Sequence, residues 1–542
     1  MIGDAATQTE ARLLPAGTRR RAGRGLAVCT APGVAGLPRR REGRSRWAHA
    51  VAVVVLTVVA AEPLAAGPLV DAVKRRDADE VRALLADKVD VNAREGDGAT
   101  ALHWAVHAEA ADLVTLLLDA GARPELANDL GVTPLHLAAA AAQAAIARQL
   151  LEAGAPADAA TPAGVTPLME AARAGQAEIV RALLARGASP DAAETQRGQT
   201  ALMWAAARRH PAVVRVLVDA GADLRRRTAA REVTVMLDRG PGREAKTAMK
   251  HGARIQQGGF TALHFAAQAG DADSAAVLAA GGAPLEAVAA DGNTALVLAA
   301  FSGHGDVARL LLGRGANPEA EGAGYTALHA AAMRADLDTV QALLAHGANP
   351  NARLTQGSPV RRFASQWALP RTFTGATPLF VAAAYREAAI VEALLAAGAQ
   401  VDAPIATGLT PLLVAVDTTF QKEVRPTDLA RWNLVDSDFP EVPTPEADVL
   451  ATIRLLVEAG ADVNALDANG STALHPAASN GWTAVIQLLA DRGARLDVVN
   501  KNGKTALDLA TPRPTGRGGT LGSEAAAALL QKLTASQKSP GR

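Results

Sequence analysis

The chain repeats one five-residue pattern, Gly-x-Thr-(Pro/Ala)-Leu, eleven times along its 542 residues. Seven of the ten gaps between successive glycines measure 32 to 34 residues, and the other three measure 61, 51 and 62 residues. A fixed period near 33 residues indicates stacked repeats, which present a long surface rather than a single pocket. The pattern therefore favours binding over catalysis. Its glycines are Gly98, Gly131, Gly164, Gly198, Gly259, Gly292, Gly324, Gly375, Gly408, Gly470 and Gly503.

Each repeat predicts two short helices, as residues 131–163 illustrate. Thr133 is a helix N-cap residue, and Pro134 suits the first helical position because it needs no N–H there. A second apolar-periodic segment ends at Gly154, where a left-handed residue closes the helix. Helices this short are marginal in water on their own. Neighbouring repeats must therefore supply the burial, and the loop joining one pair to the next, here called a finger, reverses the chain.

The segments TALHWA, TPLHLA, TALHFA and TALHAA, with their LLxxGAxxxA endings, resemble the ankyrin-repeat family over about 68–536. The resemblance implies an all-α solenoid of stacked helix-turn-helix units with β-hairpin fingers. It also implies that the concave face of first helices and fingers binds another protein. Residues 68–93 fit an N-terminal cap with Lys88 where glycine is usual, and a split C-terminal cap follows KTALDLATPR. Counting caps, we predict twelve repeats.

Charge separates a basic leader from a mildly acidic body. Residues 1–46 hold ten arginines against three acidic residues, and the remaining residues hold 45 basic against 52 acidic ones. This balance argues against nucleic-acid binding by the chain as a whole. Cys29 is the single cysteine, so a disulfide framework and a thiolate metal cluster are both excluded. We expect residues 1–47 and 537–542 to be disordered.

Residues 48–66 contain a short apolar stretch that follows arginines and ends in small residues, which is typical of a secretory signal. The stretch is short for a membrane-spanning helix, which needs ~20 apolar residues. We therefore expect an exported protein, periplasmic or secreted. The alternatives are a signal anchor that tethers the chain to a membrane, a transit peptide, or upstream sequence from a misplaced start.

Three insertions account for the long gaps, at about 224–258, 354–372 and 417–447. The first holds nine basic against three acidic residues, and the second places Arg361 and Arg362 near Trp367 and Phe373. The third is acidic and separates the two helices of one repeat. These insertions are interpreted either as contacts for a partner, with exposed aromatic and arginine anchors, or as tolerated surface loops.

Motifs for chemistry are missing from the sequence. His103, His136, His264, His329 and His475 share one repeat position, which predicts hydrogen bonds to neighbouring backbone. No metal-binding, phosphate-binding or nucleophile motif is present, so we predict no catalytic residues, no metal and no cofactor. Trp104 and Trp204 are expected to pack between helices. An enzyme using insertion 417–447 remains the alternative.

The leading hypothesis is a monomeric, non-enzymatic scaffold that binds another protein. A further alternative is an adaptor that residues 48–66 tether to a membrane. Candidate contacts are positions that the repeat pattern leaves free. On the finger tips these are Asp97, Asp129, Leu130, Val132, Gln199, Phe260, Tyr325 and Leu409. Beyond the Ala-Ala pair of the first helices they are His107, Arg173, Arg208, Phe301, Met333, Arg334 and Tyr385. In the second insertion they are Arg361, Arg362 and Trp367.

Overall fold

The computed structural model describes residues 67–236, 252–357, 369, 371–417, 446–514 and 520–538. Within these residues the chain forms twelve helix pairs, which confirms the predicted number of repeats. The first helices are α1 (Pro68–Lys74), α3 (Ala101–His107), α5 (Pro134–Ala140), α7 (Pro167–Arg173), α9 (Ala201–Ala207), α11 (Ala262–Ala269), α13 (Ala295–Ser302), α15 (Ala327–Met333), α17 (Pro378–Tyr385), α19 (Pro411–Val416), α21 (Leu474–Asn480) and α23 (Ala506–Ala510). The second helices are α2 (Ala78–Ala86), α4 (Ala111–Asp119), α6 (Ala144–Glu152), α8 (Ala177–Ala185), α10 (Pro211–Asp219), α12 (Ala272–Ala280), α14 (Gly305–Gly313), α16 (Leu337–Ala345), α18 (Ala388–Ala396), α20 (Glu446–Glu458), α22 (Thr483–Asp491) and α24 (Glu524–Lys538).

Local chemistry fixes where each helix starts and stops. At α5 the Thr133 hydroxyl accepts the backbone N–H of His136, and Pro134 occupies the first turn. The residue after α6 that closes the helix is Gly154, with φ of +89°. In the first repeat Lys88 takes this position with φ of +58°, a conformation that glycine adopts more easily.

Successive pairs pack in two rows. Second helices contact one another from α2 to α24, and first helices contact one another from α1 to α19 and again from α21 to α23. The buried apolar side chains form one cluster that extends from Leu69 to Leu530. The described repeats therefore share a continuous core, as expected for units whose helices are too short to fold alone.

The first insertion contains a β-hairpin that the sequence analysis did not predict. Strand β1 (Arg231–Met236) pairs antiparallel with β2 (Gly252–Gln257), with Arg231 opposite Gln257 and Met236 opposite Gly252. The β-branched run Val-Thr-Val at 233–235 is the signal that favours a strand here. A second, two-residue ladder joins β3 (Arg513–Pro514) to β4 (Thr520–Leu521) ahead of α24.

The ends of the second insertion are anchored in the core. Leu354 and Phe373 are buried, and Phe373 packs edge-on against Phe380 with ring centroids 5.3 Å apart. The prediction that Phe373 is an exposed anchor is therefore wrong, because its ring fills space beside α17. Arg361, Arg362 and Trp367 lie outside the described residues, as do 418–445 of the third insertion.

The chain enters the third insertion after α19 and returns at α20, between the two helices of one repeat. Arg386, in the preceding repeat, donates to the backbone oxygens of Ala415 and Asp417 at 2.9 and 3.2 Å and so holds the end of α19.

Of the helices that the structure describes, none combines the length and apolar character needed to cross a bilayer. Residues 48–66, where the sequence predicts a signal or anchor, lie outside the described residues.

Candidate functional site

Five histidines each connect a first helix to the next repeat. The Nδ1 atom of His103 accepts the backbone N–H of Thr100 at 3.1 Å, and its Nε2 lies 3.0 Å from the backbone oxygen of Val132. The equivalent contacts join His136 to Val165, His264 to Asn293, His329 to Ala376 and His475 to Lys504, at 3.1, 3.2, 3.1 and 3.3 Å. We call this set the histidine ladder. It confirms the predicted hydrogen bonds to neighbouring backbone.

The ladder requires neutral imidazoles. A backbone oxygen can only accept, so Nε2 must carry the proton and Nδ1 must be the acceptor. Burial lowers the pKa of His103 and His136, and it lowers the pKa of His264 and of His329 to about 4. With both ring nitrogens engaged by backbone, these side chains serve structure.

A second ladder links the chain that follows each second helix. Asn351 Nδ2 donates to the Gly398 oxygen at 3.1 Å, and Asn351 Oδ1 accepts the N–H of Gln400 at 2.7 Å. Across the third insertion the N–H of Asp462 reaches the Asp402 carboxylate at 3.1 Å. Burial raises the pKa of Asp402. The histidine ladder therefore continues past the second insertion, and the second ladder continues past the second and third, without a change of register.

The ladder explains which predicted finger contacts are covered. Five candidates occupy the x position of Gly-x-Thr, and of these Val132 accepts a ladder bond, from His103: Val132, Gln199, Phe260, Tyr325 and Leu409. Four are half-buried, and Tyr325 is only 3% exposed. Its hydroxyl donates to Asn293 Oδ1 at 3.1 Å, and burial raises its pKa. The prediction that this position is a free tip is wrong for Tyr325.

The remaining finger candidates lie at the surface. Leu130 is 51% exposed, Asp129 is exposed, and Asp97 is half-buried. The Asp97 carboxylate accepts the N–H of Ala99 at 2.9 Å, and its backbone oxygen accepts the N–H of Asp129 at 3.0 Å. These two fingers are thus joined by backbone, and their tips stay accessible.

The candidates near the ends of first helices divide into three groups. His107 and Arg208 are exposed, whereas Arg173 is half-buried and donates to the Glu170 carboxylate at 2.6 and 2.8 Å. Phe301, Arg334 and Tyr385 are half-buried.

Met333 is fully buried, so its assignment to a free surface is wrong. Phe301 lies against Tyr325 with ring centroids 5.6 Å apart. The Arg334 guanidinium lies beside Gly303, and burial lowers its pKa.

A row of apolar side chains follows the ladder position on the first helices. This row consists of Trp104, Leu137, Trp204 and Phe265. Together with Arg173, at the end of a first helix, and the finger residue Phe260, they form what we call the first-helix surface, and all six are half-buried. The corresponding side chains further along, Leu298, Ala330, Val381 and Val414, are buried. The sequence predicts packing for Trp104 and Trp204, and both do pack against the core. They also keep an accessible face, which the repeat pattern alone does not indicate.

Polar partners orient the two tryptophans. The Trp104 indole donates to the Glu95 carboxylate, and Lys74 Nζ lies 4.1 Å from the Trp104 ring and 2.7 Å from Glu95. The Trp204 indole donates to Gln199 Oε1 at 3.1 Å. Rings held in this way lose little conformational freedom when a partner covers them.

The described residues contain no group of three or more His, Cys, Asp or Glu side chains placed to hold a metal ion.

Family models for ankyrin repeats (3 copies) match residues 69–161, 141–228, 244–322, 263–354 and 446–536, and a single ankyrin repeat matches 374–405. No match to a curated protein was found. One similar solved structure is the human ASB11 ankyrin repeat domain, with 27% identity and a TM-score of 0.37. It covers 47% of this chain and 100% of its own. Because the matched repeats span well over half of its length, the chain belongs to the ankyrin-repeat family.

Proposed function

We propose that this protein is a non-enzymatic scaffold that binds a partner protein along its first-helix surface and the adjoining fingers. Ankyrin repeats are generally protein-interaction modules and are usually non-catalytic. The observation that carries the proposal is the row of oriented, half-exposed aromatic rings at Trp104, Trp204 and Phe265. Tryptophan and other large side chains with restricted rotamers are the residues that dominate interface energies.

The aromatic side chains of this surface lie in the earlier repeats. Side chains at the corresponding positions from Leu298 to Val414 are buried, so they offer a partner little area. Glu170, in the fourth repeat, is also largely buried but pairs with Arg173, whose guanidinium remains partly accessible. A partner would therefore lie across the second to sixth repeats.

The histidines support a binding role rather than catalysis. Each ladder histidine engages backbone through both ring nitrogens, so none is available as a general base. For the third insertion, the described residue Glu446 is occupied in accepting the N–H of Ala484 at 2.6 Å. A catalytic role for that insertion has no support from the described residues around it.

We further propose that the protein is exported, with membrane attachment through residues 48–66 if that segment stays uncleaved. The support is the apolar stretch after a basic leader. N-terminal sequencing of the protein purified from its native host tests this. A mature start near residue 67 supports export as a free protein, and an intact segment 48–66 in the membrane fraction supports tethering instead.

Photocrosslinking in the native host tests the binding surface. A photoreactive benzoylphenylalanine at position 204 should capture one protein partner, because that side chain is partly exposed on the surface proposed to be covered. The matched control is the same group at Arg181, an exposed position on the second helix α8. Equal capture at both positions, or capture at 181 alone, would contradict the proposal.

A further inference from the structure

In the fifth and sixth repeats the first-helix surface carries three aromatic rings on neighbouring repeats, here called the aromatic strip. Trp204 on α9 and Phe265 on α11 lie on helices that pack against each other. Phe260 contacts Phe265 edge-on, with ring centroids 5.5 Å apart, and stacks on His264 at the same distance. The strip therefore extends from the first helices to the base of the finger.

Arginines border the finger end of this strip. The N–H of Thr228 donates to the Phe260 oxygen at 2.9 Å, and the N–H of Phe260 donates to the Thr228 hydroxyl at 3.0 Å. Arg225 and Arg226, just ahead of Thr228, are exposed. Arg227 is held by a bond from Nη1 to the Val288 oxygen at 2.6 Å. Backbone pairing thus fixes Thr228 at Phe260, and three arginines directly precede Thr228 in the chain.

Arginine also borders the opposite end. Helix α9 ends at Ala207, and the exposed residues Arg208 and Arg209 follow it. Arg208 comes four residues after Trp204, which places it one helical turn further along the same side. No ion pair involves Arg208, Arg209, Arg225 or Arg226 within the described residues. The strip is therefore basic at both ends.

The local charge opposes that of the rest of the body. Residues 197–236 hold eight arginines against three acidic residues, whereas residues 47–542 hold 45 basic and 52 acidic ones. Of the three acidic side chains, Glu232 is paired with Arg254 at 3.2 Å, and Asp223 accepts the N–H of Arg225 at 2.9 Å. Eight arginines against three acidic residues leave residues 197–236 with a formal net charge of +5.

We propose that this basic aromatic strip, defined as Trp204, Arg208, Arg225, Arg226, Phe260 and Phe265, binds a carboxylate-rich segment of the partner protein. This inference rests on the proposed function and names its partner's chemistry. An apolar side chain of the partner covers the rings, and carboxylates on either side of it pair with the arginines. Guanidinium groups match carboxylates geometrically, and opposite charges select the partner and speed its approach.

Selection from a displayed library of random peptides of about 12 residues tests the assignment with the full-length protein as bait. Enriched peptides should carry net negative charge and at least one leucine or aromatic residue. The selection is repeated with Arg225→Glu/Arg226→Glu. The matched control is Arg181→Glu/Arg215→Glu, which changes the net charge equally at exposed second-helix positions.

Fluorescence anisotropy then measures the best acidic peptide. Affinity should fall at least about tenfold in the Arg225→Glu/Arg226→Glu variant and stay within about twofold in the control. Raising NaCl from about 0.05 to 0.5 M should also weaken binding, because screening shortens the reach of the arginines. Circular dichroism of each variant verifies that the repeats remain folded.

Several outcomes overturn the inference. Enrichment of neutral or basic peptides, no enrichment, or equal loss in both variants would each contradict a carboxylate partner. Tighter binding of single-stranded oligothymidylate, lost in the same variant, would assign the strip to nucleic acid instead. If uncharged peptides bind and Trp204→Ala abolishes their binding, the scaffold function stands and only the carboxylate assignment fails.

Discussion

His329 Nε2 lies 3.1 Å from the backbone oxygen of Ala376, 47 residues further along the chain. The other ladder histidines make the same contact across 29 residues. The second insertion therefore loops out of the repeat without displacing the next one. Both partners are buried, so we expect this bond to stabilise the junction between the eighth and ninth repeats.

Replacing His329 should destabilise that junction. His329→Ala removes a buried ring and leaves the Ala376 oxygen without its donor, which should lower the free energy of unfolding by about 2–4 kcal/mol. Urea denaturation followed by circular dichroism measures the change. The matched control is His346→Ala, since His346 is exposed and its loss should cost less than about 0.5 kcal/mol. Equal effects of the two substitutions would show that the ladder contact contributes nothing.

The ladder also predicts acid sensitivity. Burial penalises the charged ring and lowers the pKa of His329 from the ordinary value of 6.5 to about 4 in the folded protein. The unfolded chain therefore binds a proton first, and the free energy of unfolding falls as the pH drops from 6.5 towards 4. One such histidine accounts for a loss of about 3 kcal/mol over that range.

Comparison with His329→Met isolates this effect from the titration of carboxylates. Methionine already fills the same position in other repeats, at Met169 and Met203. Urea unfolding of both proteins at about pH 7 and about pH 4.5 should show that the wild type loses about 2–3 kcal/mol more than the variant. Parallel pH profiles would contradict the burial of a neutral His329.

The third insertion should be removable without loss of the fold. Asp402 precedes α19, Asp462 follows α20, and the bond between them closes the repeat from outside the insertion. Replacing 418–445 by a short glycine-asparagine linker should leave the free energy of unfolding unchanged or raise it by about 1–2 kcal/mol, because a shorter loop costs less entropy to close. Thermal unfolding measures the outcome, and collapse of the transition would mean that the insertion supports the stack.

The helix-closing position offers a stabilising change. Lys88 has φ of +58° where the other repeats place glycine, so Lys88→Gly should raise the free energy of unfolding by about 1 kcal/mol. The reverse change, Gly187→Ala, should cost a similar amount. An added Cβ at Gly187 meets no atom within 4 Å, so only the backbone conformation is tested. Denaturant midpoints of the pair should shift in opposite directions.

The repeating framework could be predicted from the sequence because it depends on backbone requirements. A cap at Thr133 and a left-handed residue at Gly154 dictate helix ends wherever they recur. Side-chain exposure could not be predicted in the same way, because it depends on the size of neighbours in the adjacent repeat. Tyr325 is buried and bonds to Asn293, and Met333 is fully buried.

The candidate site was predicted in part. The exposed residues Asp129, Leu130 and Arg208 lie where the pattern leaves positions free. The accessible faces of Trp104 and Trp204 were missed, because their repeat position is apolar in most repeats and periodicity cannot distinguish a half-buried ring from a buried one. The strand signal at 233–235 was available in the sequence but short.

The affinity of the crosslinked partner for surface variants tests the central claim most directly. Trp204→Ala/Phe265→Ala should raise the Kd at least about thirtyfold, the cost of removing two aromatic anchors. The matched variant Arg181→Ala/Arg215→Ala, on exposed second-helix positions, should change the Kd less than about twofold. Isothermal titration calorimetry gives both values. An unchanged Kd in the aromatic variant, with both proteins folded, would contradict recognition along the first-helix surface.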